Sequence, residues 1–133
     1  MSTALNSLVE GLAILETHGP MDRDIRGLAY DSRAVKPGYL FFALPGTHAD
    51  GRSFIAAAIA AGATAIIHEG ELDDYRPGTT YLRVQSSRFA MSPVSAAFYG
   101  HPSQSLAVLG VTGTEGKSTT VYLIWQLLNL SGR

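Results

Sequence analysis

Apolar residues recur at helical spacing over the first twenty residues, and the run stops at Gly19 and Pro20. Residues three and four positions apart share one face of an α-helix, so this spacing predicts an amphipathic first helix with its leucines in the core. A Gly-Pro pair is a typical helix end. The leucines that form the stripe are Leu5, Leu8, Leu12 and Leu15.

The next fifty residues predict a β-α-β unit. Residues 24–35 and 37–46 are short, apolar and rich in strand-forming side chains, and the turn between them is centred on 36–38. Residues 50–62 are alanine-rich, which predicts a helix that ends at a glycine, and 64–70 is a short β-branched run typical of a buried strand. We expect an α/β fold.

A further strand and a further helix are predicted after residue 78. Residues 79–85 have strand character, and 87–100 have a helical pattern that ends in glycine. Pro93 lies inside this pattern, and proline removes a backbone donor and clashes with the preceding turn. The sequence therefore predicts either a kink or a new helix that begins with Ser92 as its cap.

A Gly/Pro/Ser cluster at residues 100–105 is the clearest linker signal in the chain. It predicts a boundary between one domain, residues 1–104, and the start of a second, residues 105–133. The second segment reads as a strand at 106–112, a glycine-rich loop and a helix. A domain of about 100 residues is large enough to fold independently.

Composition narrows the functional classes. The chain has 133 residues, 46 % hydrophobic and 16 % charged, with a net charge of −1 and no cysteine. Without a broad basic field we expect neither a nucleic acid nor a membrane partner, and disulfide or thiolate chemistry is excluded. The N-terminus has neither the charged start nor the clean apolar run of a signal peptide, so we expect a cytoplasmic protein.

The loop after the predicted strand has the chemistry of a phosphate site. In "GTEGKST", residues 113–119, Gly113 and Gly116 allow close approach of the backbone, and a helix N-terminus follows. Lys117 would reach the β- and γ-phosphates of ATP as a point charge, and Ser118 would bind Mg²⁺ through its hydroxyl.

This loop departs from the strict pattern G-x-x-x-x-G-K-[ST], because Val111 occupies the first glycine position and Gly110 stands one place earlier. The alternative is an ordinary glycine-rich turn whose lysine is solvated. Glu115 is a carboxylate beside the expected phosphates, and we interpret it as tolerated by the positive helix terminus.

Several motifs together resemble the Mur ligases, and within them the MurE type, which are UDP-N-acetylmuramoyl-dipeptide ligases of peptidoglycan synthesis. "GVTGTEGKSTT" at 110–120 is similar to the family's phosphate loop, which usually has asparagine in place of Glu115 and often threonine in place of Ser118. Residues 31–67 resemble the N-terminal domain of the family, and "FYGHPS" resembles its junction with the ATPase domain.

The resemblance implies a fold and a reaction. The fold is a MurE/MurF-like N-terminal UDP-binding domain, a mixed sheet with flanking helices, followed by the first strand, P-loop and helix of an ATPase domain. The reaction joins a diamino acid to UDP-N-acetylmuramoyl-L-alanyl-D-glutamate through an acyl phosphate, with ATP and Mg²⁺. Lys117 would be catalytic and Ser118 the metal ligand. The implied ATP-binding residues are Gly113, Thr114, Glu115, Gly116, Lys117, Ser118 and Thr119.

The same resemblance implies uridine diphosphate contacts in two loops of the first domain. Tyr30 departs from the leucine expected at its position, and Ser32 has an alternative role as the cap of a turn. Asp31 and Arg33 can form a local ion pair, and the imidazole of one candidate, His48, is alternatively a solvated surface group. The implied residues are Tyr30, Ser32, Thr47, His48 and Ala49.

Other polar residues receive no ligand role. Asp50 is expected to cap the alanine-rich helix. His18, His68 and His101 lack the spacing of metal ligands, and six carboxylates read as solvated loop charges, namely Asp22, Asp24, Glu69, Glu71, Asp73 and Asp74.

The late position of the phosphate loop predicts that the chain is the N-terminal part of a longer ligase and is inert alone. A free-standing nucleotide-binding or regulatory module is the alternative, and the reading frame beyond Arg133 would distinguish the two. Because the last helix is apolar around most of its circumference, we expect this segment to pack back on the first domain, to pair with another copy or to be mobile, and we favour self-association.

Overall fold

The computed structural model describes residues 2–46 and 50–132. The chain divides into two compact units, Met1–His101 and Pro102–Arg133. The strands are β1 Thr3–Ala4, β2 Ile14–His18, β3 Asp24–Ile25, β4 Gly27–Ala29, β5 Tyr39–Phe42, β6 Ala63–His68 and β7 Thr80–Val84. The α-helices are α1 Leu5–Leu8, α2 Ile55–Ala60, α3 Ser87–Phe98 and α4 Lys117–Leu130. Short 3₁₀ turns occupy Ser32–Ala34, Gly51–Phe54 and Pro102–Ser105.

The first unit is built on a mixed five-stranded sheet with the order β2-β7-β6-β5-β4. Strands β4, β5, β6 and β7 run parallel to one another, and the edge strand β2 pairs antiparallel with β7. A separate pair, β1 and β3, is antiparallel. The predicted mixed sheet with flanking helices is confirmed.

Alternating side chains of the central strands face opposite layers. Leu40 and Phe42 of β5 pack into the core that includes α1 and α3, whereas Phe41 packs into the core that includes α2. Each is at most 1 % exposed. Because β5 is buried on both faces, it is apolar without interruption, as is typical of a parallel strand covered by helices.

The β-α-β unit predicted around the alanine-rich helix is confirmed, since β5 and β6 are parallel and α2 lies between them. The helix is followed by Gly62 at φ +104°, a backbone conformation that residues other than glycine rarely adopt. A Cβ on Gly62 would lie 2.7 Å from the backbone Cα of Pro37. This glycine is therefore required by both conformation and space.

The predicted first helix is wrong beyond its first turn. Helix α1 ends at Leu8, Gly11 has φ +77°, and residues 14–18 form the edge strand β2. Leu15, placed in the core by the helical pattern, is 61 % exposed. Hydrogen bonding to β7 outweighs the helical spacing, and alternation along the strand turns Leu15 to solvent.

Helix α3 is continuous through Pro93, so a new start at Ser92 is wrong. The hydroxyl of Ser86 caps the helix by accepting a hydrogen bond from the amide of Phe89 at 3.3 Å. Ala90 and Val94, at most 1 % exposed, lie on one face of this helix and hold it on the sheet across the proline.

In the second unit, the predicted strand at 106–112 is not formed in the part of the chain that the structure describes. A strand needs a neighbour for its hydrogen bonds, and the described residues of this unit contain no other strand. Helix α4 follows, and none of its residues is buried. Among the described residues no helix is long and apolar enough to cross a lipid bilayer.

Candidate functional site

Three loops of the first unit follow the carboxyl ends of parallel strands, on the same side of the sheet. Tyr30, Ala43 and Glu69 directly follow the parallel strands β4, β5 and β6. Ligands of open α/β sheets bind outside the carboxyl ends of the strands. Two cavities lie among these loops, and we call them the Tyr30 pocket and the Asp50 cleft.

The Tyr30 pocket has a volume of about 490 Å³ and contains two of the sequence-predicted uridine contacts. Tyr30 is 67 % exposed and Phe54 is 44 % exposed, so both aromatic side chains are accessible at this pocket. Ser32 adds a hydroxyl that can donate and accept. The lining residues are Tyr30, Asp31, Ser32, Arg33 and Phe54.

The ion pair expected between Asp31 and Arg33 is present. Asp31 Oδ2 accepts a hydrogen bond from Arg33 Nη2 at 2.7 Å. Asp31 Oδ1 also accepts one from the backbone amide of Arg33 at 3.0 Å. The hydrogen bonds from Arg33, side chain first, lower the pKa of Asp31 to about 2. Asp31, and not Ser32, therefore caps this turn.

The Asp50 cleft has a volume of about 390 Å³ and lies between the ends of β5 and β6. Its lining residues are Ala43, Pro45, Gly46, Asp50, Arg52, Glu69 and Gly70. Asp50 accepts from the backbone amide of Arg52 at 3.0 Å and so caps the 3₁₀ turn Gly51–Phe54. The predicted cap is therefore present, but on the turn that leads into α2, since α2 itself has no side-chain cap. The carboxylate of Asp50 also binds the Arg52 side chain at 2.6 Å. These bonds with Arg52 lower the pKa of Asp50.

The backbone on both sides of residues 47–49 is held together at the cleft. Pro45 pairs with Asp50 in an isolated antiparallel bridge, and the amide of Gly51 donates to the carbonyl of Leu44 at 3.0 Å. Gly51 is buried, and a Cβ there would lie 2.3 Å from that carbonyl oxygen. The predicted contacts Thr47, His48 and Ala49 lie outside the described residues.

Glu69 is not a solvated loop charge, contrary to the sequence interpretation. Its Oε1 accepts from the amide of Ser87 at 2.7 Å and from the hydroxyl of Ser87 at 2.9 Å. Ser87 begins α3 and is fully buried. Sequence reasoning missed this contact because eighteen residues separate the partners and no local spacing indicates it.

His68, to which the sequence assigned no role, is fully buried at the end of β6. Its ring meets Tyr81 edge-on, with 6.3 Å between the ring centroids. Burial is the main cause that lowers the pKa of His68. Among the described residues no group of three or more His, Asp or Glu side chains is arranged to hold a metal ion.

In the second unit, the glycine-rich loop leads into a helix N-terminus that has no side-chain cap. Gly116 precedes α4 in the left-handed region at φ +74°. The amino group of Lys117 donates to the carbonyls of Gly113 and Thr114, so it points back over the loop. Glu115 and Ser118 are exposed.

The sequence-predicted residues therefore fall into two groups in separate units. The phosphate-loop residues, which include exposed Thr119, are contiguous at the start of α4, whereas Tyr30 and Ser32 share the Tyr30 pocket. Lys117 and Ser118 also border a hollow of about 450 Å³ along α4.

Residues 24–99, more than half of the chain, match the family model described as "Mur ligase family, catalytic domain". The chain is 54 % identical over 121 residues to a UDP-N-acetylmuramyl-tripeptide synthetase of Treponema pallidum, covering 91 % of this chain and 22 % of that protein. It is 43 % identical over 129 residues to a UDP-N-acetylmuramoyl-L-alanyl-D-glutamate–2,6-diaminopimelate ligase of Syntrophomonas wolfei, covering 97 % and 26 %.

Solved structures give the same result. A crystal structure of MurF from Acinetobacter baumannii matches with a TM-score of 0.72 at 26 % identity, covering 97 % of this chain and 28 % of that one. A UDP-N-acetylmuramoyl-L-alanyl-D-glutamate–2,6-diaminopimelate ligase matches with a TM-score of 0.68 at 25 % identity, covering 100 % and 26 %. The chain spans about a quarter of the length of these relatives. The family match and the shared fold together show that the chain belongs to the Mur ligase family.

Proposed function

We propose that this chain supplies the uridine-nucleotide site and the phosphate loop of an ATP-dependent amide ligase of peptidoglycan precursor synthesis. The complete enzyme would join a diamino acid to UDP-N-acetylmuramoyl-L-alanyl-D-glutamate through an acyl phosphate. The observation that carries the proposal is the pairing, in one Mur-family chain, of a pocket at the carboxyl edge of the sheet with a phosphate-type loop at an uncapped helix N-terminus.

The Tyr30 pocket suits the uridine end of the substrate. The exposed rings of Tyr30 and Phe54 offer faces on which a flat base can stack. Ser32 supplies a hydroxyl, while Asp31 and Arg33 neutralise each other and add no net charge. We assign further contacts with this nucleotide to Thr47, His48 and Ala49 by similarity to the family.

The phosphate loop fits a nucleotide in charge and in backbone geometry. Without a side-chain cap, the first amides of α4 are available to phosphate oxygens, and Gly116 holds the turn that exposes them. When bound, ATP would supply the phosphoryl group and Mg²⁺ would offset its charge. Lys117 would move from the carbonyls of Gly113 and Thr114 to the phosphates, and Ser118 would be the metal ligand.

We further propose that the domains divide at residues 1–104 and 105–133, and that the chain alone does not form amide bonds. The proposed ligase would be a cytoplasmic enzyme that uses ATP. Formation of an amide product by the 133-residue chain with ATP, substrate and diamino acid would contradict the proposal of inactivity.

Two nucleotide titrations of the whole chain, followed by amide NMR, test the site assignments. UDP should shift the resonances of Tyr30 and Ser32, whereas ADP with Mg²⁺ should shift those of Gly116 and Lys117. The matched variant Lys117→Ala should lose the ADP response and keep the UDP response, because the two groups belong to separate units. UDP shifts confined to other loops would refute the uridine assignment.

A further inference from the structure

We propose that Glu69 is a positioning residue for nucleotide binding, because it holds the walls of the Asp50 cleft in register without touching the ligand. This inference rests on the proposed function. Glu69 follows β6, Ala43 follows β5, and Ser87 begins α3. Their hydrogen bonds join three chain segments at the carboxyl edge of the sheet.

The contacts are short and lie at a buried serine. Glu69 Oε1 is 2.7 Å from the amide nitrogen of Ser87 and 2.9 Å from its Oγ. The same Oγ lies 3.2 Å from the carbonyl oxygen of Ala43. The hydroxyl has one proton for these two acceptors, so the bond from the backbone amide is the fixed one. A carboxylate at a helix N-terminus also gains from the helix dipole.

The start of α3 holds the segment after β5 at a second point. The guanidinium of Arg88 lies 3.4 Å from the carbonyl oxygen of Pro45, and Pro45 pairs with Asp50 across the cleft. Ala43, Pro45, Asp50 and Glu69 all line the cavity. The Glu69–Ser87 contact therefore ties the residues that follow β5 and β6 to the start of α3 at this cavity.

A direct contact between Glu69 and the ligand is disfavoured by charge. The proposed nucleotide carries a diphosphate, and residues 47–49, which we assign to it, join Gly46 and Asp50 of the cleft lining, so a free carboxylate in the cleft would repel the ligand. Both hydrogen bonds of Glu69 Oε1 go to Ser87, and the positive end of α3 offsets its charge. Glu69 thus acts through the geometry of the cleft.

Calorimetric titration of the whole chain with UDP tests this role in four variants. Glu69→Ala removes the acceptor, frees the start of α3 from the end of β6, and should raise the dissociation constant of UDP about tenfold. Glu69→Gln keeps an oxygen acceptor for Ser87 and should restore binding to within about threefold of the wild type. Asp74→Ala, which removes an exposed carboxylate outside the cleft, should leave binding unchanged.

Ser87→Ala keeps the backbone bond to Glu69, removes the hydroxyl link to Ala43, and should give an intermediate loss. It also serves as the test if Glu69→Ala fails to fold. If the wild-type chain does not bind UDP, the uridine assignment fails and this proposal with it. If the wild type binds UDP and both Glu69→Ala and Ser87→Ala bind it as tightly as the wild type does, only the positioning role is overturned. Equal weakening by Glu69→Gln and Glu69→Ala would also overturn it.

Discussion

Replacing Gly51 with alanine would place a methyl group against fixed backbone at the Asp50 cleft. The added Cβ would lie 2.3 Å from the carbonyl oxygen of Leu44, 2.5 Å from its amide nitrogen and 2.7 Å from the carbonyl carbon of Ala43. These atoms belong to the chain just after β5 and cannot rotate away as a side chain can. The 3₁₀ turn Gly51–Phe54 must therefore move away from the sheet, and the hydrogen bond from Gly51 to Leu44 must lengthen.

The magnitude follows from two opposing effects. Overpacking of a dense interior costs about 1 to 3 kcal/mol. Alanine recovers up to about 1 kcal/mol relative to glycine by reducing the freedom of the unfolded chain. We expect a net loss of about 1 to 2 kcal/mol, which corresponds to a fall in Tm of roughly 5 to 15 °C for a unit of this size.

Thermal unfolding followed by near-ultraviolet circular dichroism measures this effect. Tyr81 is 1 % exposed in the first unit and reports on its packing, whereas the single tryptophan, Trp125, lies in the second unit. Gly110→Ala is the matched control, because a Cβ at Gly110 meets nothing within 4 Å and its φ lies outside the left-handed region. A Tm for Gly51→Ala equal to that of the control would refute the close-packing argument.

Three further predictions concern charge and surface. Arg33→Ala removes the ion-pair partner of Asp31 and should raise the pKa of Asp31 from about 2 toward the usual carboxylate range. In the wild type, the stability that this pair contributes is present at neutral pH and is lost only as the pH falls through about 2. A carbon-detected NMR titration of Asp31 with an unchanged midpoint would contradict this prediction. Because burial lowers the pKa of His68, the unfolded chain takes up a proton at a higher pH than the folded chain does. The free energy of unfolding should therefore decrease as the pH falls below about 6.5. In urea unfolding, the loss of this free energy between pH 7 and pH 5 should be smaller in His68→Gln than in the wild type. The exposed apolar surface of α4, where Leu130 is 86 % exposed, should make the chain dimeric in sedimentation while a 1–105 truncation stays monomeric; two monomers would refute this.

The sequence by itself determined features that depend on neighbours along the chain. The β-α-β unit follows from an apolar strand, an alanine-rich helix and a terminating glycine, all within thirty residues. The Asp50 cap and the Asp31–Arg33 pair join residues two apart. The sequence also predicted the glycine-rich loop that precedes the helix at Lys117, because the backbone turn at Gly116 and the charge of Lys117 are local properties.

Only the tertiary structure decided features that depend on partners distant in sequence. Residues 14–18 include Leu15, the last leucine of the predicted helical stripe, but they form hydrogen bonds with β7 along its edge, and strand pairing outweighs the helical spacing. Residues 106–112 have strand composition and no strand beside them in the described unit, so no strand forms. Glu69 reads as a loop charge until β6 and α3 bring it to Ser87. In each case the outcome depends on whether the folded chain supplies a partner that is distant in sequence, and the local spacing of residues does not indicate that partner.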